Sequence, residues 1–205
     1  MSGVATLGMI ASLAFAQAAL AAGRDRLPYT GIEGSFGKVT FNHSDAGADR
    51  FDIRASLDLG GAVPVFVSAA RTQIETEEID LGSTSFSRKS TLSRLDLGLR
   101  LGNDRKADFV PSISVVRTRG EFHGDPALFG NYDETGWAAR CAVRALARPW
   151  LEFGAFVETM HVAENAASAA AVEAILYPLS HLGVGIGYET SEGQRAVLAR
   201  LRIVR

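Results

Sequence analysis

A histidine flanked by two carboxylates is the combination in this sequence that comes nearest to an acid-base site. His123 has Glu121 two residues before it and Asp125 two residues after it, and a catalytic base needs such a carboxylate to orient it. No recognisable motif places a nucleophile beside His123, and Ser180 and His181 are neighbours in sequence only. Exposed polar segments account for the histidines, so the sequence predicts no catalytic residue and a protein that is not an enzyme.

Two further patterns could in principle hold a metal ion or a cofactor. The acidic run at 75–80 offers carboxylate oxygens, which divalent cations prefer, but its spacing matches no metal-binding loop and a solvated loop is expected. Gly183, Gly185 and Gly187 have the spacing G-x-G-x-G with no helix after them, which is not a dinucleotide fingerprint. They are expected to leave room on one strand face for bulky side chains opposite. The sequence therefore predicts no metal and no cofactor.

The charged residues show a stronger pattern, because they alternate with apolar ones. From position 92 the chain reads L-S-R-L-D-L-G-L-R-L, and in an extended strand this places leucines on one face and Arg94, Asp96 and Arg100 on the other. The same alternation along the chain collects eight arginines and six carboxylates on the presumed inner faces. These are Asp52, Arg54, Asp58, Arg94, Asp96, Arg100, Arg140, Arg144, Arg148, Glu152, Glu158, Glu173, Arg200 and Arg202.

Such charges cannot stay unpaired in a medium of low dielectric constant, so we expect a salt-bridged network. In a narrow barrel this network would fill most of the interior and act as a structural plug. An open pore, with the charges lining water, is the alternative. Of the 21 basic residues only three are lysine, and arginine suits fixed pairing with carboxylates in a confined interior.

The elements that must position these residues are ten strands, with eight as the alternative number. Their predicted ranges are 29–41, 50–59, 63–75, 91–101, 108–121, 135–147, 150–162, 168–177, 182–189 and 194–204. Short turns at 60–62, 102–106, 148–149 and 178–181 alternate with longer polar segments at 42–49, 76–90, 122–134, 164–167 and 190–193. This alternation is typical of an all-β, closed, antiparallel, up-and-down transmembrane β-barrel. The segments 137–148 and 164–177 also have helix propensity, but both keep a period of two.

The apolar faces of these strands are expected to face lipid. They include Phe51, Ile53, Leu57 and Leu59, with Trp137, Val143, Leu151, Phe153, Val157, Leu182, Val184, Ile186 and Tyr188 further along. Five aromatic residues near strand ends are expected to form the interfacial girdles of such a barrel, with inward-pointing core aromatics as the alternative. They are Tyr29, Trp137, Trp150, Tyr177 and Tyr188.

The N-terminal segment indicates export. Residues 1–22 carry no charge and end near a small-x-small cleavage pattern, which predicts a signal peptide at 1–22 and one barrel domain at 23–205. The single Cys141 cannot form an internal disulfide and is expected to be a small apolar wall residue. A net charge of −2 gives no reason to expect nucleic-acid binding.

Three segments carry a resemblance to a known family. They are the opening Y-T-G-I-E-G-S-F-G, the pair D-R-F-D-I-R-A-S-L-D-L-G-G-A-V-P-V-F-V-S, and the closing L-G-V-G-I-G-Y-E-T-S-E-G-Q-R-A-V-L-A-R. Together they resemble small OmpA/OmpX-like outer-membrane β-barrel proteins that lack a peptidoglycan-binding domain. The resemblance implies location in the cell outer membrane of a Gram-negative envelope. Its implied partners are outer-membrane lipid or lipopolysaccharide and the outer-membrane assembly machinery, while any surface ligand stays unknown.

These observations predict an integral outer-membrane β-barrel with a structural or surface-interaction role and a plugged lumen. One alternative is a narrow channel for small solutes or ions. The other is a soluble periplasmic barrel that binds an apolar ligand, in which Leu95 and its companions would turn inward.

Overall fold

A computed structural model describes residues 27–42, 47–60, 64–76, 79–80, 85–102, 106–123 and 130–205. The predicted signal peptide lies outside these residues. The strands are β1 (Gly31–Phe41), β2 (Gly47–Asp58), β3 (Val65–Thr76), β4 (Ile79–Asp80), β5 (Ser85–Leu99), β6 (Ala107–His123), β7 (Tyr132–Arg148), β8 (Leu151–Val162), β9 (Asn165–Leu179), β10 (Leu182–Ser191) and β11 (Gln194–Val204). Among the described residues, no helix is long and apolar enough to cross a membrane.

Ten of these strands close into a barrel. Each pairs antiparallel with its neighbours in sequence, and β1 pairs with β11 from Gly31↔Val204 to Phe41↔Gln194, which removes the sheet edges. The two-residue β4 adds only to the end of β5, so that β3 pairs directly with β5. The predicted closed, antiparallel, ten-stranded barrel is confirmed, and both segments with helix propensity are strands.

Several strands extend further than predicted into segments that looked like loops. β5 begins at Ser85 instead of 91, and β9 begins at Asn165 instead of 168. The segment between β8 and β9 shrinks to two residues, in which Ala163 takes a φ of 51°. The turn between β10 and β11 also has two residues, with Gly193 at a φ of 82°. The ends of these strands extend beyond the apolar region and carry polar residues, as loops do. The boundaries predicted from composition were therefore misplaced.

The outer face of the barrel is apolar, as predicted. Leu95 is 61% exposed, and the outward side chains of the neighbouring strands are exposed as well. The exposed residues include Phe51, Ile53, Leu57, Leu59, Trp137, Val143, Phe153, Val157, Val184, Ile186 and Tyr188. The soluble alternative required Leu95, Leu97 and Leu99 to point inward, and their exposure shows that this alternative is wrong.

The predicted aromatic girdle is wrong at two of its five members. Tyr29 is 6% exposed and Tyr177 is fully buried, and both hydroxyls donate to carboxylates inside the barrel. Trp137 and Tyr188 do face outward. A buried tyrosine needs a partner for its hydroxyl, and the carboxylates of the interior supply it. The inward alternative therefore holds for Tyr29 and Tyr177.

Candidate functional site in the lumen

The interior of the barrel, here called the lumen, has two halves. The turn half adjoins the turns between β2 and β3, β5 and β6, β7 and β8, and β9 and β10, together with residues 27–30 and the end of β11. The loop half adjoins the connections at the opposite ends of the strands. Side chains of alternate residues point into the lumen from every strand of the barrel.

A dense ion-pair network occupies the turn half. Arg202 on β11 lies 2.5 Å from Glu33 on β1 and 2.9 Å from Glu152 on β8. Arg200 lies 2.6 Å from Glu33 and 3.1 Å from Glu173. None of these five side chains is more than 16% exposed. Because Arg202 reaches from β11 to β8, past β9 and β10, this network ties non-adjacent walls together.

Glu152 is the most enclosed member of this network, at 0% exposed. Its carboxylate accepts from Arg144 at 2.7 Å, from Arg202 at 2.9 Å and from the Tyr177 hydroxyl at 2.7 Å. A fully buried carboxylate is tolerated only with such complete pairing. Glu152 therefore requires both arginines to be in place.

The chain segment before β1 lies inside the turn half of the lumen. Leu27 and Tyr29 are buried against Val110 and Leu146. The Tyr29 hydroxyl donates to Asp108 at 2.8 Å. The Pro28 carbonyl accepts from Arg144 at 2.9 Å. Arg144 and Arg100 also lie over the Tyr29 ring, at 4.6 and 4.9 Å from its centroid, an arrangement that stabilises both cations.

A second network crosses the middle of the lumen. Arg94 on β5 lies 2.8 Å from Asp96 and 2.9 Å from Glu158 on β8. Arg140 on β7 lies 2.8 Å from Glu158 and 3.9 Å from the centroid of the Phe156 ring. Asp96 also accepts from the hydroxyls of two serines, Ser68 and Ser114. The carboxylates here are thus saturated by partners on their own and neighbouring walls.

Arg54 is the exception among the predicted inner arginines of this region. Its closest carboxylate contact is 3.7 Å, to Asp96, and its side chain is 33% exposed. Higher in the loop half, Arg50 lies 3.0 Å from Asp52 and 2.9 Å from Glu189 on β10. At the rim, Arg88 donates to the Tyr132 hydroxyl at 2.7 Å and is exposed.

Of the fourteen predicted inner residues, thirteen have carboxylate or guanidinium contacts inside the barrel, including Arg100 and Asp58, which lie 2.9 Å apart. Arg148 lies at the exposed end of β7, and no ion pair joins it to the other described residues. A shift in the register of β7 with β8 between Leu146 and Arg148 takes this residue out of the alternation.

Several lumen residues escaped the sequence analysis. Glu33, Arg50 and Glu189 stand at inward positions by simple alternation with Ile32, Phe51 and Tyr188, so the period of two could have identified them. Tyr29 and Asp108 carried no comparable signal, because Tyr29 precedes its strand and Asp108 stands at the beginning of β6.

Three inward glycines make room for this packing, as predicted for β10. A Cβ atom at Gly183 would lie 2.8 Å from the Tyr177 ring, and one at Gly187 would lie 2.7 Å from Nε of Arg200. At Gly185 it would lie 2.4 Å from the Ala174 carbonyl oxygen. Any side chain at these positions would displace the network or its wall.

Two cavities remain in the lumen. The turn-half chamber, of about 130 Å³, is lined by residues that include Tyr29, Arg144 and Arg202. The loop-half chamber is larger, about 380 Å³, and reaches from Arg88 and Tyr132 at the rim to the middle of the barrel. Five residues line both chambers: Glu33, Arg54, Arg140, Phe156 and Arg200.

Outside the lumen, the apolar surface ends along one register row. Ala69, Leu95, Val115 and Trp137 pair in sequence across β3, β5, β6 and β7, and the next outward row is Arg71, Ser93, Arg117 and Thr135. The polar outward residues from this row to the loop end are here called the outer polar patch. Within it, hydrogen bonds from Arg117 and Arg119 hold the pKa of Asp133 well below its usual range.

The residues considered for catalysis or metal binding do not form a site in the described part of the chain. Asp125 lies outside the described residues. His161 faces outward, stacked on Trp137 with 4.4 Å between ring centroids. In the described residues no group of three or more histidine, cysteine or acidic side chains could hold a metal ion. Cys141 faces outward on the barrel wall.

Comparison with known proteins gives similarity of structure only. No family model matches the sequence, and no curated protein matches it. The NanC porin superposes with a TM-score of 0.51 at 10% identity, covering 84% of this chain and 98% of that one. The translocator domain of autotransporter NalP from Neisseria meningitidis gives 0.49 at 11% identity, covering 99% of both chains. Ail of Yersinia pestis gives 0.34 at 8% identity, covering 85% of this chain and 95% of that one.

The fold and the outer surface together define the class of protein. A closed barrel whose strands expose apolar side chains all around is the architecture by which β-strands cross a membrane, and the NanC porin shares this fold. The chain is a small integral outer-membrane β-barrel, located as predicted. The finer prediction of an OmpA/OmpX-like protein stays a prediction.

Proposed function

We propose that this protein is a non-conducting barrel with a structural role in the outer membrane. The observation that carries the proposal is the packing of the turn half, where Leu27 and Tyr29 are buried inside the barrel and Glu152 is fully buried. Ions and solutes would have to displace both the segment and the ion pairs of Arg202 to pass. Breaking buried ion pairs is costly, which favours a lumen that stays shut.

Planar-bilayer recording tests this proposal. The purified protein, inserted at high copy number, is expected to give no steady current steps under an applied voltage. A porin of known conductance in the same bilayer shows that the assay detects open barrels. A heat-modifiability gel on the same sample establishes that the barrel is folded. Steady ohmic steps from folded protein would contradict the proposal.

A narrow channel is the second candidate, and the two chambers favour it. They share five lining residues, so a modest movement of Arg54, Arg140 or Arg200 would join them. The turn-half chamber would then still need the Tyr29 segment to withdraw. Current steps that appear only at high voltage, when the field could displace that segment, would support this channel over the closed barrel.

The outer polar patch supplies the surface-interaction part of the proposal. Arg117 and Arg119 are exposed by 58% and 52%, just beyond the apolar surface. This position suits contact with the phosphate groups of lipopolysaccharide, because arginine binds phosphate through paired hydrogen bonds. Added lipopolysaccharide is expected to raise the thermal midpoint of the folded protein in detergent.

A double variant, Arg117→Gln with Arg119→Gln, is expected to lose most of that rise. Arg148→Gln, which removes an exposed arginine at the opposite end of the barrel, is the matched control and should keep it. An equal rise in all three proteins would show that the patch does not bind lipopolysaccharide.

A further inference from the structure

The loop-half chamber has the composition of a binding site rather than of a filled interior. At about 380 Å³ it falls in the range of small-molecule pockets. Its lining extends to Arg88 and Tyr132 at the rim. The turn half encloses about a third of that volume and is packed with ion pairs. The larger chamber therefore has room for a small molecule.

The charge on the chamber wall favours an anion. Among the described residues, six arginines line it against four carboxylates, an excess of two positive charges: Arg50, Arg54, Arg88, Arg94, Arg140 and Arg200, against Glu33, Asp52, Glu158 and Glu189. No lysine or histidine stands among the described residues of this wall. A cleft lined by one predominant sign of charge in low-dielectric walls concentrates ions of the opposite sign.

Two of these arginines retain the capacity to bind a carboxylate. Among the described residues, Arg54 has one carboxylate contact, at 3.7 Å to Asp96, and that carboxylate is already occupied by Arg94, Ser68 and Ser114. Arg88 donates to a neutral phenol, the Tyr132 hydroxyl. The other four arginines lie within 3.1 Å of carboxylates. Arg88 lies at the rim end of the chamber, and Arg54 lies at its inner end.

Among the other lining residues, polar side chains stand beside apolar ones such as Ile74, Leu92 and Met160. Thr72, Ser90, Thr118, Ser191 and Gln194 offer both donors and acceptors. Phe41 and Phe156 add apolar surface. We propose that the chamber binds a small organic anion that carries hydroxyl groups, with its carboxylate held by Arg54 after entry past Arg88. The site would lie above the closed turn half and would not require the barrel to conduct.

Calorimetric titration of the full protein in detergent micelles tests this proposal, with glucuronate as the probe. Glucose has the same ring without the carboxylate and is the matched neutral ligand. We expect glucuronate to bind at least tenfold more tightly than glucose, and its affinity to fall as sodium chloride is raised. Equal binding of the two sugars, or no binding of glucuronate, would overturn the proposal.

Variants locate the site. Arg54→Gln is expected to weaken glucuronate binding at least fivefold, and Arg88→Gln is expected to weaken it less. Arg148→Gln removes the same charge from the exposed turn end of the barrel and should change the affinity by less than twofold. A heat-modifiability gel establishes that each variant is folded. Unchanged binding by Arg54→Gln would contradict the proposed site, whatever the conductance experiment shows about the lumen.

Inorganic phosphate separates the two parts of the proposed ligand. It carries the negative charge without the hydroxylated ring, so it should compete with glucuronate only weakly. Competition at equal concentration would overturn the role of the hydroxyl-lined wall and would leave only a simple anion site.

Discussion

The turn half and the loop half of the lumen are built from the same residue types, but they differ in how completely the charges are paired. In the turn half, Glu152 accepts from two arginines and a tyrosine and has no exposed surface. At the inner end of the loop-half chamber, where both chambers meet, Arg54 is held by one long contact and is one-third exposed. The difference teaches that residue type alone does not determine how completely an inner charge is paired; the number of partners within reach does.

The first prediction, with the largest effect, removes the most enclosed carboxylate. Glu152→Ala leaves Arg144 and Arg202 without a shared partner in a buried site, and truncating one member of such a group costs about 3–5 kcal/mol of unfolding free energy. Urea unfolding in lipid vesicles, followed by tryptophan fluorescence, measures this loss.

Asp133→Ala is the matched control for that variant. Asp133 also bridges two arginines, Arg117 and Arg119, but on the outer face of the barrel. Water solvates the two exposed arginines once the carboxylate is removed, so no resolvable change in the unfolding free energy is expected. Similar losses from Glu152→Ala and Asp133→Ala would show that burial does not distinguish the turn half.

The second prediction concerns the segment before β1, which lies in the turn half. Tyr29→Phe keeps the buried ring and removes only the hydroxyl that donates to Asp108. A hydrogen bond to a charged group contributes about 1.5–3 kcal/mol of unfolding free energy. The phenylalanine ring offers Asp108 no donor in place of the hydroxyl. Tyr188→Phe, on the outward face, should leave the unfolding free energy unchanged. Equal effects of the two substitutions would mean that the segment is not held in the lumen.

Most of the barrel could be predicted from the sequence, but only part of its interior could. Alternation such as that from Leu95 to Leu101 predicts strands and their faces, because side chains of a strand point to opposite sides whatever the tertiary structure. The same rule places Arg94 and Glu158 each on an inward strand face, but it does not predict that they pair. Their contact depends on how β5 and β8 are staggered around the closed barrel, and a single sequence does not contain that stagger.

Residues outside the alternation were beyond this kind of prediction. Tyr29 precedes β1 and was assigned to the outer girdle, because a tyrosine near a strand end usually lies at a membrane interface. Its actual place depends on where the chain turns before β1 and on the presence of Asp108, 79 residues later. The prediction that Arg148 points inward is wrong for a related reason, since a register shift moves this residue out of the lumen.

The third prediction tests the close packing of the turn half through its wall. Gly183→Ala places a methyl group 2.8 Å from Ile175 and the Tyr177 ring, both fully buried. Overpacking of this kind costs about 1–3 kcal/mol. Gly34→Ala is the control, because its Cβ would meet only the Asp52 carbonyl oxygen at 3.9 Å. A tolerated Gly183→Ala would show that Tyr177 can move and that the turn half is looser than its contacts imply.

The smallest effect is expected from Arg54→Gln, and it sharpens the comparison most directly. Asp96 keeps Arg94 and two serine hydroxyls when Arg54 is removed, so no buried charge loses its last partner. The loss of stability should stay below about 1 kcal/mol, as for a weakly held, partly exposed ion pair. A loss as large as that of Glu152→Ala would show that Arg54 is part of the structural network. Because a residue that stabilises the fold so little has no evident structural reason to be an arginine, a small loss would favour its use for a ligand.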